Sequence, residues 1–280
     1  LETIWRARMY GEDTALETQS AQIGGFDLFA ESKYQMLENL EARVFFRGKF
    51  ESGRSQSFFG DLEPSSTILL REAALKYSPF EFLSAKAGVI NQDWMDMPLL
   101  VSRQSFPGVS GEVSHQFTEE LKAGYIGQYL IPTSQTMSSR TVGAEATPRF
   151  VTQTLFLRWN QNDFSASLSG NLYRYENLPS LVAFESQKHG NSLSQINGPN
   201  NSHFTYGFNG WYTSAGLKFR VNSLWEPLAY YNIIKNPKAP NTYNDGQLLG
   251  IGSKFHTNNY VYSFVYENYF AESDVAPTYY

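Results

Sequence analysis

Arg43, Arg47 and Lys49 recur at even spacing through a stretch whose intervening positions are apolar or small: Leu40, Ala42, Val44, Phe46, Gly48 and Phe50. Successive side chains of a strand point to opposite faces, so this segment has one greasy face and one charged face. A row of fixed cations of this kind makes and breaks no bond. Along low-dielectric walls it raises the local concentration of anions and steers them. Lys33 on the preceding segment extends the row to a ladder, and Asp27, Glu31 and Glu41 are carboxylates placed to neutralise it across strands. Both readings, a selective basic surface and a self-paired wall, stand on the same residues.

Bond-breaking chemistry has little to work with. His115, His189, His203 and His256 are scattered without metal-ligand spacing, and cysteine is absent, so no thiolate site or disulfide framework exists. Gly24-Gly25 and Gly250-Ile251-Gly252 match neither phosphate-loop nor dinucleotide patterns, and no Gly-x-Ser-x-Gly elbow occurs. His115 beside Ser114 is no nucleophile–base pair, because neighbours in a strand face apart. The expectation is a protein that is not an enzyme, with no metal and no cofactor.

The elements that must position the charged row are strands throughout. Phe164, Ala166, Leu168, Gly170 and Leu172 alternate with Ser165, Ser167, Ser169 and Asn171. Further on, Tyr260, Tyr262, Phe264, Tyr266 and Phe270 stand against Ser263, Glu267 and Tyr269. The pattern predicts thirteen strands, at about 1–10, 25–36, 40–51, 67–78, 82–90, 108–118, 120–131, 149–159, 163–174, 205–222, 226–235, 247–256 and 258–270. Their connections alternate between short turns rich in Asn, Asp and Pro and long segments at about 11–24, 52–66, 91–107, 132–148, 176–204 and 236–246. Short turns at one end and long loops at the other are the habit of outer-membrane barrels.

Composition agrees. The chain has 280 residues, 41% hydrophobic, with 18 Tyr and 21 Phe, and no uncharged apolar run long enough for a spanning helix. Tyr and Phe favour strands and populate the girdles of membrane barrels. A net charge of −5 argues against a nucleic-acid partner. No signal peptide opens the chain at Leu1, which in an exported protein places the numbering after cleavage or trimming. The fold class is therefore all-β: a single antiparallel up-and-down transmembrane β-barrel over residues 1–280. Thirteen strands are read here, an odd number, whereas bacterial single-chain barrels are even. About fourteen strands are expected when complete, with the last one missing beyond Tyr280. Alternatively, a turn near Gly207 or Gly210 is hidden in 205–222, or the strand near Leu1 lies outside the wall.

If the greasy face meets lipid, the other lines the pore. The pore-lining set is Arg6, Arg8, Glu31, Lys33, Arg43, Arg47, Lys49, Lys86, Glu112, Lys122, Arg158, Lys218, Arg220, Lys254 and Glu267, with Glu2, Asp27 and Glu41 as further inward acids. Bases outnumber acids on this face, whereas acids gather in loops such as Glu12, Asp13, Asp61 and Glu63. Arg71 breaks the phase: with Leu69 and Leu75 outward it would face lipid, and a bulge or an inverted phase must resolve this. Asp93, Trp94, Asp96 and Arg103 form a candidate constriction in the 91–107 loop, which folds into the lumen or packs on the barrel rim. The polar 176–203 segment, anchored by Leu178, Leu181, Val182 and Phe184, reads as a mobile loop or lid.

The hairpin Arg71-Glu72-Ala73-Ala74-Leu75-Lys76-Tyr77, a turn, and Phe82-Leu83-Ser84-Ala85-Lys86-Ala87-Gly88, followed by a long loop, resembles bacterial outer-membrane porins over about twenty residues. The resemblance implies a passive channel in the bacterial cell outer membrane for small hydrophilic solutes or ions, and the inward bases add a mild anion preference. Membrane lipid or lipopolysaccharide and a homo-oligomer or protein partner are the expected company. The alternatives are a binding or scaffold barrel with a plugged lumen, an exporter of an acidic polysaccharide, and a soluble β-sandwich.

Overall fold

The computed structural model describes residues 2–15, 20–55, 66–92, 97–101, 105–132, 145–187, 190–196, 198, 201–258 and 260–277. Alternating sequence becomes strand along most of this length: β1 (Glu2–Ala15), β2 (Ser20–Leu37), β3 (Leu40–Ser55), β4 (Thr67–Phe80), β5 (Leu83–Asn91), β6 (Ser105–Gln116), β7 (Leu121–Leu130), β8 (Arg149–Gln161) and β9 (Phe164–Glu176). A helix, α1 (Ser180–Ser186), and a small hairpin, β10 (Leu193–Ile196) and β11 (Ser202–Phe204), follow. The wall then resumes with β12 (Asn209–Phe219), β13 (Trp225–Lys235), β14 (Asp245–His256) and β15 (Val261–Ala271). The thirteen wall strands pair antiparallel in chain order, with β9 joined to β12 across the insertion. This is the up-and-down barrel topology expected from the alternation, and a two-layer sandwich is excluded. The two outermost strands of the described sheet, β1 and β15, run in the same direction. The fourteenth strand expected beyond Tyr280 lies outside the described residues.

The turns at one end are closed by their own side chains. Asn222 Oδ1 accepts from the amides of Leu224 and Trp225, both at 2.9 Å, and Thr257 Oγ1 accepts from Tyr260 N at 3.0 Å. Thr118 Oγ1 does the same for Leu121 N at 3.1 Å. These short polar residues supply the bonds that a two- to four-residue connection cannot make with backbone alone.

Burial alternates along the strands, and most cleanly on β8, where Phe150, Thr152, Thr154 and Phe156 are buried while Gln153, Leu155 and Leu157 are exposed. Gln153 apart, the exposed residues between Val151 and Trp159 on this outward row are apolar. Phe46, Leu168 and Phe264 are 45%, 51% and 65% exposed, whereas Arg47 is 5% exposed. In water, an apolar surface this continuous would aggregate; in a bilayer it is the required exterior. On the outward rows of β7 and β8 this band runs from Tyr129, beside Val151, to Trp159. Val151 to Trp159 spans roughly 27 Å along the strand, or about 20 Å of membrane at the usual tilt.

The phase problem at Arg71 is resolved by a bulge. Phe46 pairs with Leu70 and Phe45 with Glu72, so Arg71 is the extra residue. Ile68 and Leu70 face outward before it, Leu75 and Tyr77 after it. Leu69, expected outward, stands opposite inward Arg47 instead. Arg71 is buried and donates from Nη2 to Asn91 Oδ1 at 3.1 Å.

The described part of the insertion after β9 folds onto the core. Val182 and Ala183 of α1 are buried, and Leu178 packs on the core. The wall strand expected over 205–222 begins at Asn209, because residues 205–208 turn Phe208 into the interior and Tyr175 N donates to Phe208 O at 2.8 Å.

Candidate functional site

Opposite residues of an antiparallel pair share a face, so the ladder registers carry the inner surface from strand to strand. Arg8, Asp27 and Lys49 are one such rung, and Arg6, Phe29 and Arg47 are the next. Asp27 is fully buried. It accepts both Nε and Nη2 of Arg47 at 3.0 Å and Nε of Arg8 at 3.0 Å. Two guanidiniums thus share one carboxylate, and both lie within 6 Å of the Phe29 ring, at 5.8 Å for Arg47 and 5.9 Å for Arg8. Phe29 stacks on Phe45 with centroids 6.0 Å apart. Toward the loop end, Lys49 pairs with Glu51 at 2.7 Å, and Tyr10 donates to the same carboxylate. Toward the turn end, Glu31 takes Arg6 at 3.0 Å and Lys33 at 3.3 Å, and Arg43 pairs with Glu41.

The rest of the inner face continues in pairs. Lys86 meets Glu72 at 3.3 Å and Lys122 meets Glu112 at 3.0 Å. Glu226 collects Arg220 at 3.7 Å, His256 at 3.7 Å and Lys254 at 3.8 Å. Glu267 accepts from Tyr230. Arg158 instead lies 5.1 Å from the Phe156 ring, and among the described residues no carboxylate pairs with Arg158, Lys218 or Lys76. The ladder register places the strand residues of the expected pore-lining set on one face of the sheet, Arg220 lies just past the end of β12, and most of these bases are paired. Glu51, Glu72 and Glu226 were not in that set. Glu51 is the last residue of the odd-numbered row of the expected strand, Glu72 is hidden by the bulge, and Glu226 sits beside Pro227 at a strand start. They bring the inner face closer to charge balance than the sequence reading has it.

The loop end of the interior is different in kind. Inward residues there are apolar: Ile90, Phe106, Leu130, Phe150, Tyr212 and Ile234 form one cluster with Met97, Leu100 and Val101, with Val182 of α1, and with Val275 and Ala276 after β15. Phe150 stacks on Tyr175 at 4.3 Å, and Tyr175 donates to Leu100 O at 3.4 Å. Residues 97–101 of the 91–107 loop thus pack into this cluster on the inner side of the sheet. Asp93, Trp94, Asp96 and Arg103 lie outside the described residues.

The segment after β15 is stitched into this core. Tyr173 donates to Val275 O at 2.7 Å, and Asn191 Nδ2 to Ala276 O at 3.0 Å. Ser192 donates from N at 2.8 Å and Oγ at 2.6 Å to the buried Asp274 carboxylate, and Asn236 Nδ2 reaches Asp274 O at 2.8 Å. Nothing local in the sequence foretells these bonds, since their partners are some 40 to 100 residues apart. The core sits against β5 to β9, β12 and β13, while the charged ladder occupies β1 to β3. Arg6 and Arg8, on the end strand of the sheet, remain half exposed or more, at 59% and 50% of their side chains.

No protein-family model and no curated protein matches the chain. Among solved structures, OmpF of Salmonella typhi, in complex with daunomycin, aligns over 93% of this chain and 88% of its own, with a TM-score of 0.50 at 11% identity. OprB of Pseudomonas putida, in a high-pH structure, aligns over 98% of this chain and 74% of its own, with a TM-score of 0.50 at 13% identity. At those identities the likeness is one of fold.

Proposed function

We propose, for a chain built on the fold of bacterial outer-membrane β-barrels, that it is a passive channel of that membrane for small hydrophilic solutes or ions, with a mild preference for anions. One observation carries the reading: the strands that present Phe46 and its outward neighbours to lipid hold a partly exposed ladder of charge on their inner side. The interior is divided between an apolar core on β5 to β13 and this ladder on β1 to β3, so the route for solute runs along the ladder. Its residues act by charge and by size, and the reading includes no catalytic step. The anion preference is supported by Asp27 shared between two arginines and by Lys76, Arg158 and Lys218, which lack carboxylate partners among the described residues. Pairing elsewhere keeps it mild, and fields of this kind are screened within about 8–10 Å at ordinary salt.

Unit conductance in planar bilayers tests the channel. In a salt gradient the reversal potential is expected to have the sign of anion flow, with the preference growing as salt is diluted. Cation selectivity would overturn the preference, and a folded barrel that never conducts would overturn the channel. A second reading, a barrel plugged to serve as a binding or scaffold component, is favoured by the loop-end core. It predicts negligible conductance and a stoichiometric partner recovered from membranes.

A further inference from the structure

The outward rows of β6 to β9 are almost free of charge, and their exception is a cluster at the loop end. Val151 stands opposite both Tyr129 and Arg174, and Arg149 stands opposite Glu176, so the four polar side chains lie on neighbouring rungs of one outward patch. Arg174 Nη2 is 2.8 Å and Arg149 Nη1 is 3.8 Å from Glu176, and the Arg149 guanidinium lies over Tyr129, 5.9 Å from its centroid. Two guanidiniums share one carboxylate, leaving a net positive charge, with side chains 47% and 61% exposed. Along the strands toward the membrane centre the same face carries no charge and only Gln153 as a polar group beside Leu172, with Leu172 and Leu155 at 60% and 66% exposure. No other Arg, Lys, Asp or Glu stands on these outward rows among the described residues.

A cation held beside lipid-facing leucines, at the level where aromatic side chains mark the interface, meets lipid headgroups rather than bulk solutes. Arginine suits phosphate in particular, because its planar fork of donors matches the oxygens. The two ends of the barrel differ accordingly. The turns at the other end carry Glu38, Glu81, Glu119, Glu120 and Asp163, and Arg220, the one base of those connections among the described residues, is directed to Glu226. Long loops lie on the external side of such barrels, so the arginine pair belongs to the outer leaflet.

We infer that Arg149 and Arg174 form a site for the phosphate of an outer-leaflet glycolipid, a lipopolysaccharide, whose acyl chains lie on Leu172 and Leu155. The phosphate displaces part of the Glu176 pairing and takes guanidinium donors in its place. The site rests on the membrane fold and not on the channel reading, since a barrel that conducts nothing would still hold the lipid.

The test uses the whole chain in detergent micelles, with lipopolysaccharide and the same material after enzymatic dephosphorylation as probes, and native mass spectrometry as the readout. Wild type is expected to retain the phosphorylated form about tenfold better. Arg149→Gln with Arg174→Gln should abolish that difference, and Arg149→Lys with Arg174→Lys should keep most of it. Heat-modifiable gel migration confirms that each variant is folded. Equal retention of both forms by wild type, or undiminished discrimination by the double Gln variant, would overturn the site. Complete competition by inorganic phosphate would assign it to free anions and overturn the lipid.

Discussion

Asp27 is charged, wholly buried and doubly bridged, which makes it the most consequential single group on the inner face. Removing one partner of a buried pair leaves charge without compensation, at a cost of about 3–5 kcal/mol, whereas exposed pairs contribute under about 1 kcal/mol. Arg47→Ala is therefore expected to lower unfolding free energy by about 3 kcal/mol, with Arg8 retained to soften the loss, and Arg6→Ala by under about 1 kcal/mol. Urea titration in lipid vesicles measures both, and equal effects would contradict the assigned burial. A second test concerns inward glycines. Tyr230 lies across Gly250, its register partner, so that a Cβ there would come within 2.1 Å of the ring, and Tyr10 lies across Gly25 in the same way. Gly250→Ala is expected to push Tyr230 off Glu267 and destabilise by about 1–3 kcal/mol, while Gly170→Ala, with open space around it, should be nearly silent.

At the scale of elements, the Arg71 bulge makes a sharp prediction. Leu70 faces out and Glu72 in, so deleting Arg71 joins them in ordinary alternation and loses only what Arg71 itself contributes, including its bond to Asn91. Deleting Lys76 instead inverts every later residue of β4. The first variant is expected to refold into a heat-modifiable barrel and the second to fail, as read from gel migration after refolding. Elements differed in how far they could be read. All thirteen wall strands were legible, because alternation, aromatic content and turn chemistry repeat the same message in each. The helix α1 and the β10–β11 hairpin were not. A seven-residue helix with no side-chain cap and no acidic first turn has little intrinsic stability, and it exists because Val182 and Ala183 find a core built by distant strands.

At the scale of the whole molecule, the segment after β15 acts as a strap that holds the interior loops in place through Asp274. Asp274→Ala removes the carboxylate that binds Ser192 twice, and bonds to a buried charge contribute about 1.5–3 kcal/mol each. The expected outcome in planar bilayers is a larger or more fluctuating single-channel conductance, and an unchanged trace would show that the strap does not limit the opening. The sequence by itself determined the up-and-down topology and the two faces of the strands, the bulge at Arg71 apart, because a period of two is a local property that survives any curvature of the sheet. Only the tertiary structure decided which inward cations are neutralised, and that the loop end of the interior is filled by a core drawn from seven wall strands, residues 97–101, α1, Phe208 and the segment after β15. Ion pairing depends on register between strands, and core formation on contacts between residues far apart in sequence, and neither leaves a periodic trace along the chain.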